Sequence, residues 1–545
     1  MGDRPRTVVV CFDGLSLEYL DRYDLPNFSA LRDRGIESPL ESTFPPWTGS
    51  AWPSMYTGTD PSTHGVYDFF SFDDRYPESS DLVTRNDVRA PALWNYLTAR
   101  GTPSVVLNVP VTYPAEPIEG ALVPGYLAPE DADGHPTGIR DRLADSVDGY
   151  HIYSRAERGA ADDHSVADYV DLIETRGRAA RYLLDTEEWR LAVLQVQKTD
   201  AVFHNFGDHA AFERVYRAAD GFLGTVLDAV GRDTNVIVCS DHGIGETDGY
   251  RIYLNQILAR EGYTEATAES GALPKLGAAK DRLVEGGTQG NDDAGEVTTT
   301  AVRAAVSALR RVGLSPDDVS TAVDRLRLLP LVTRHFSEEI RATLERGVDW
   351  RASTAYCRSG NELGVRLNVA GREPDGVVPP DEYEAVRDDL IEVLSALETP
   401  DGEPAFDAVK RREAVYRGPY ADDACDILVW PRAMNNTLAT NLMGAAFVPL
   451  DDYDHKRDGT FIGAGPGFAA DATVDGLSLV DVAPLAMALL GCPVPERMTG
   501  SAPESLLTAR ARSESYGDVP FGTGSQSEFD DDPVEDRLED LGYLE

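Results

Sequence analysis

The first half of the chain alternates continuous apolar runs with stretches of helical spacing. TVVVCF, residues 7–12, is an uninterrupted β-branched run, the pattern of a strand in the middle of a parallel sheet covered on both faces. PSVVLNVP at 103–110, RLAVLQVQ at 190–197 and NVIVCS at 235–240 predict further strands. Between them, apolar spacing predicts helices over 25–34, with Pro26 in the first turn and Gly35 at the end, over 90–100 before Gly101, and over 164–187 and 209–230. The alternation predicts an α/β fold with a mostly parallel central sheet flanked by helices.

Texture changes between about Glu261 and Gly347. There EGGTQGNDDAGEVTTT predicts a loop and TAVRAAVSALRRVG an amphipathic helix, read together as an inserted, cap-like segment. Regular patterning then returns. VRLNV, DILVWP and TFIGAG predict strands, and DEYEAVRDDLIEVLSAL predicts a helix. The expected organisation is a first core part over 1–260, an insertion or cap over 261–347, a second core part over 348–511, and an acidic tail with a short terminal helix over 512–545.

Composition narrows the function classes. With 545 residues, 42% hydrophobic and 8% aromatic, the chain can bury a large core. Its longest apolar candidate, 477–494, contains Asp481 and Pro484, so no membrane span is expected. The opening MGDRPRTVVVCFDG passes directly from a charged stretch into a strand, which points to a cytoplasmic protein. Five cysteines do not make a disulfide framework, and Cys11 and Cys239 lie inside strand runs as small core residues. Acidic residues number 93 against 50 basic, a net charge of -43, which excludes a nucleic-acid polymer as an electrostatic partner. Only five of the basic residues are lysines and the acidic excess is spread along the chain, a pattern that resembles proteins of salt-loving microbes. Dense salt screens the self-repulsion of such a surface, so low stability in dilute buffer is expected.

Ligand sites of open α/β sheets gather beyond the carboxyl ends of the strands. Asp13, Asp200 and Asp241 each follow a predicted strand. Any one of them reads most simply as a turn or cap residue, but three together suggest a site. Asp200 and His204, four apart in KTDAVFH, share a helix face; Asp241 and His242 are adjacent in SDHG; His455 stands in DHKRDG. Mixed carboxylate and imidazole ligands suit zinc or manganese better than calcium. In FPPWTGSAWPSMYTGTDPSTHG, residues 44–65, Thr48 precedes a predicted helix over 50–56 with Pro53 in its first turn. Its hydroxyl would then lie at a helix amino end that favours an anion, or serve simply as an N-cap.

The ordered set of a DG after the first strand, Thr48 nine residues before Thr57, TGxxPxxHG, DxxxH, SDHG and a late HxxxG resembles the alkaline phosphatase superfamily, in particular its type I phosphodiesterase and nucleotide pyrophosphatase branch. NVPVTYP, VDWRASTAY, AGREPDGVV and VYRGPYADDACDILV look like the microbial phosphohydrolase or phosphomutase-like members. The resemblance implies an alkaline-phosphatase-like core and two divalent ions, Zn²⁺ or Mn²⁺. One would be held by Asp13, Thr48, Asp241 and His242, the other by Asp200, His204 and His455. It further implies Thr48 as nucleophile on a small-molecule phosphate ester of phosphodiester or pyrophosphate type, through a covalent phosphothreonine. His64 belongs to the motif but is left outside the ligand set, and His209 is read as a surface residue. Nucleotide pyrophosphatases commonly offer an Asn shortly after the HG, whereas this chain reads HGVYDFF with Asp68, and Asn108 or Lys198 could supply the missing phosphate donor. Two other readings stand beside this one: a phosphomutase acting on sugar phosphates with the same two-metal site, and a non-catalytic binding protein. Sulfatase chemistry does not fit, because the nucleophile position reads Thr48-Gly49-Ser50.

Overall fold

The computed structural model describes residues 5–72, 81–161, 163–267, 347–470, 472–474 and 476–522. At its centre is a seven-stranded sheet in the order Ile36–Glu41, Asp458–Ala464, Asn235–Cys239, Thr7–Phe12, Leu191–Val196, Ser104–Leu107, Gly120–Val123. Five strands are consecutive and parallel; Asp458–Ala464 runs antiparallel to both of its neighbours. The four predicted strands of the first half form the middle of this sheet. Their unbroken apolar runs are buried throughout, as a sheet covered on both faces requires. The long helices Val166–Thr186 and His209–Val230 lie within the predicted spans and pack against each other beside the sheet.

The two strands missing from the sequence reading are the edges. Ile36–Glu41 alternates buried and exposed and carries Pro39, which an edge strand tolerates because one side of it needs no ladder hydrogen bond. Gly120–Val123 is only four residues long.

Register places the chemistry. Thr7 is level with both Leu191 and Asn235, so the three central strands end together. Asp13 extends the ladder by one bond, its N–H donating to the Val196 carbonyl at 2.9 Å. Asp200 and Asp241 follow the two flanking strands on the same side of the sheet.

A second hydrophobic cluster forms apart from the sheet, around Ile252, Leu254, Leu258, Val365, Leu367, Leu390, Ile427 and Val429. Its frame is an antiparallel sheet in the order Ala355–Tyr356, Gly364–Leu367, Ile427–Pro431, Phe406–Arg411, with helix Tyr383–Ser395 packed beside it. Glu265–Ala266 pairs with Val348–Asp349, so the chain enters and leaves the segment 268–346 at one place. The loop and amphipathic helix predicted in that segment lie outside the described residues, as does the terminal helix. Residues 513–522 are strapped to the core. Ser513–Glu514 pairs with Val494–Pro495, and the Gly522 N–H donates to Glu116 Oε2 at 2.7 Å. Among the described residues no helix is long and apolar enough to cross a membrane.

Candidate active site with two metal-binding groups

The nucleophile candidate lies at the start of a buried helix. That helix runs Thr48–Thr57, two residues longer at its amino end than the spacing predicts, with extended Trp47 as N-cap and Thr48 as the first helical residue. Pro53 therefore sits in the helix interior rather than in the first turn. Gly49, four residues back, lies against the backbone of Asp68 and Phe69, where a Cβ would come within 2.9 Å of the Asp68 carbonyl. Thr48 Oγ1 lies 3.3 Å from Asp13 Oδ1 and 3.3 Å from Asp241 Oδ2.

Two groups of possible metal ligands surround this hydroxyl. Asp13, Asp241 and His242 form one and Asp200, His204 and His455 the other, the ligand atoms of each lying within 4.8 Å of one another. In the first, His242 Nε2 is 3.4 Å from Asp13 Oδ1 and 3.3 Å from Asp241 Oδ2. In the second, Asp200 Oδ2 is 3.3 Å from His204 Nε2 and its Oδ1 3.6 Å from His455 Nε2. The His242 and His455 rings are 3.9 Å apart, so the two groups adjoin. Asp200 and His204 share one face of helix Lys198–Asn205, as their spacing predicts. His455 arrives on strand Asp452–Lys456, paired opposite Ile244, two residues past His242. Gly14 lets the groups close. It adopts φ +60, and a Cβ there would come within 2.8 Å of Asp200 Oδ1.

The electrostatics of the first group call for a cation. Burial pushes the Asp13 carboxyl up, and it pushes Asp241 up further with the charge of Asp13 added. Burial alone would lower His242, yet the carboxylates of Asp241 and Asp13 hold it up at about 10. Its Nδ1 lies 2.9 Å from the Gly243 carbonyl and donates to it in the neutral ring, which leaves the Nε2 lone pair facing two carboxylate oxygens with no hydrogen-bond partner. A divalent ion at that point satisfies all three atoms at once. In the second group burial would raise Asp200, but His204 and His455 hold it well below the usual range, and burial with the nearby His242 lowers His455 to about 4.

The remaining sequence candidates fall elsewhere. His64 is fully buried and outside both groups; its Nδ1 accepts from the Val66 N–H at 3.2 Å and its Nε2 lies 2.9 Å from Ser54 Oγ. His209 is half-buried at the start of its helix, with Nδ1 3.3 Å from the Tyr23 hydroxyl. Lys198 ends on Glu157 Oε1 at 2.5 Å in a buried ion pair. Asn108 donates to Gln195 Oε1 at 2.9 Å and is 1% exposed. Asp68 accepts from Asn361 Nδ2 at 3.2 Å, its carboxyl raised to about 6 by burial and by Glu362.

Sequence reasoning passed over four residues of the surroundings. Trp52 Nε1 and Gln195 Nε2 each donate to Asp13 Oδ2 at 3.2 Å. Trp47 packs on His455 with ring centroids 4.6 Å apart and donates to the Asn361 carbonyl at 2.5 Å. Gln195 alone left a signal, as one polar residue inside the apolar run LAVLQV.

The family model for type I phosphodiesterase / nucleotide pyrophosphatase matches residues 7–458. The chain belongs to that family. It is thus a hydrolase acting on phosphoric ester bonds, and its α/β fold is alkaline-phosphatase-like. Phosphonoacetate hydrolase from Sinorhizobium meliloti 1021 in complex with phosphonoformate superposes with a TM-score of 0.50 at 16% identity, over 89% of this chain and 96% of that one. The same enzyme in complex with phosphonoacetate gives 0.50 at 15%, with the same coverage. Murine ectonucleotide pyrophosphatase / phosphodiesterase 5, in an inactive form in complex with AMP, gives 0.47 at 15%, over 90% and 96%. No curated protein matches the chain in a sequence comparison.

Proposed function

We propose that this family member cleaves small phosphodiesters or pyrophosphates by attack of Thr48 Oγ1 on phosphorus. The observation that carries the reading is the position of that hydroxyl, 3.3 Å from a carboxylate oxygen of both Asp13 and Asp241 at the amino end of a buried helix. Asp13, Asp241 and His242, with the Thr48 oxygen, would hold one divalent ion, and Asp200, His204 and His455 the other. When bound, such ions, zinc or manganese by the donor set, supply Lewis acidity for forming an alkoxide and for neutralising phosphoryl charge.

The chain's own part follows from its geometry. Thr48 loses its hydroxyl proton to solvent and forms a bond from Oγ1 to phosphorus while the bond to the leaving oxygen breaks; that oxygen takes a proton from solvent. The helix amino end favours the transferred anion. Water then cleaves the Oγ1–phosphorus bond, which restores the hydroxyl and releases the phosphate product. With Lys198 in its ion pair and Asn108 turned to Gln195, neither serves as a substrate donor in this reading. The acidic composition supports a setting rich in salt, so the assay belongs in high salt.

The test compares wild type with Thr48→Ala on bis-p-nitrophenyl phosphate and p-nitrophenyl phosphate with Mn²⁺ or Zn²⁺. Wild type should turn over the diester, and the variant should lose at least about 10³-fold in kcat. A variant that keeps its turnover sinks Thr48 as nucleophile. Phosphate moved between positions of a sugar phosphate, with no release, replaces hydrolysis by a mutase.

A further inference from the structure

Asp13 presents its two oxygens to different surroundings. Oδ1 faces Thr48 Oγ1 at 3.3 Å and His242 Nε2 at 3.4 Å. Oδ2 turns away and accepts from Trp52 Nε1 and from Gln195 Nε2, both at 3.2 Å. Gln195 is fully buried in the central strand Leu191–Val196, level with Cys11 in the register. Its carboxamide oxygen accepts from Asn108 Nδ2 at 2.9 Å.

The direction of this relay follows from chemistry. An ionised carboxylate only accepts, so Gln195 must turn its NH₂ to Asp13; its oxygen then faces Asn108, which must give an NH₂ in turn. Asn108 holds φ 62, in the left-handed region that Asn tolerates better than most residues. Its own side-chain oxygen is buried with no hydrogen-bond partner. Of its side-chain polar atoms, the amide donor is the one put to use.

Resting on the two-metal reading above, we propose that Asn108 and Gln195 are positioning residues that make Asp13 a one-oxygen ligand. Trp52 and Gln195 saturate Oδ2, and Oδ1 alone is left for the ion shared with Asp241, His242 and Thr48. A two-oxygen Asp13 would take a second coordination position on that ion. Held to one oxygen, it leaves room there for the Thr48 oxygen and a substrate oxygen. Partners of this outer kind orient metal ligands, and removing one typically weakens metal binding by about 10- to 100-fold. Among the described residues the Gln195 carboxamide bonds only to Asn108 and Asp13, so the effect is expected on the ion that Asp13 would hold.

The experiment titrates the full-length, chelator-stripped protein with Mn²⁺ in high salt and counts free ion by electron paramagnetic resonance. Wild type should take up two ions. Gln195→Leu should weaken one of them about 10- to 100-fold and leave the other unchanged. Asn108→Gly suits the backbone angle and cannot overfill the site; it should weaken the same ion by less. The double variant should match Gln195→Leu alone, because Asn108 acts only through Gln195. The relay is overturned if both single variants bind both ions as wild type does, if both ions weaken equally, or if the two losses add. A wild type that takes up fewer than two ions overturns the two-metal reading, and the relay with it.

Discussion

Two buried clusters of charge in this molecule are built on opposite rules. In the second hydrophobic cluster, Asp426 is surrounded by donors from its own chain. Its Oδ1 accepts from Arg372 at 2.6 Å, Tyr383 at 2.8 Å and Arg412 at 3.0 Å, and its Oδ2 from Arg372 at 2.7 Å and the Leu367 N–H at 2.8 Å. Burial alone would raise this carboxyl, but the Arg372 guanidinium holds it down at about 2. At the carboxyl ends of the central strands, Asp13 and Asp241 are as deeply buried, yet among the described residues neither pairs with an Arg or Lys. Both are pushed up instead of down. A buried acid matched by its own arginines completes a fold; buried acids held by neutral donors and one imidazole, with no arginine or lysine against them among the described residues, suit a cation from outside.

Substitution of one acid in each cluster should break the symmetry. Asp241→Asn should lower turnover by several kcal/mol of transition-state stabilisation, about 10³-fold, while the metal-free protein melts higher because the repulsion with Asp13 is gone. Paired activity and melting measurements check this, and a lower metal-free melting point would count against an uncompensated site. Asp426→Asn should do the reverse. Leaving Arg372 and Arg412 without their buried partner should cost about 3 kcal/mol in denaturant unfolding, with metal uptake at the active site retained.

His64 sharpens the contrast from a third side, as a buried titratable group kept neutral. Burial lowers it to about 3. The folded protein thus refuses a proton that the unfolded chain takes up near the ordinary value of about 6.5. Its stabilising effect is complete above that value and is lost as pH falls toward 3. Between pH 7 and pH 5 the loss is about 2 kcal/mol. His64→Gln should flatten that limb of a stability-against-pH curve, and an unchanged acid limb would assign it to other groups.

The middle of the sheet and the candidate ligand acids Asp13, Asp200 and Asp241 were legible because both are written locally. Four apolar runs mark strands buried on two faces, and an acid directly after a strand is carried to the site end whatever the rest of the chain does. Asp200 and His204 needed only helical spacing. The edges were harder to read: Ile36–Glu41 is half exposed and holds a proline, and Gly120–Val123 is too short for a pattern to show. His64 and His209 share a residue type with the candidate ligands but were left outside that set from the sequence, and in the fold both lie outside the two groups. Lys198 stands two residues from Asp200 in sequence, and only the fold showed its ammonium spent on Glu157.

From its residues alone the chain declared which side chains reach the carboxyl end of the sheet, since strand and helix periods act over a few residues and need no distant partner. Which oxygen of Asp13 faces Thr48, and which is tied back to Gln195 and Trp52, followed from a strand register that brings Gln195 to Asp13, 182 residues away in the sequence. A hydrogen bond depends on tenths of an ångström between such positions, and no local pattern carries that distance.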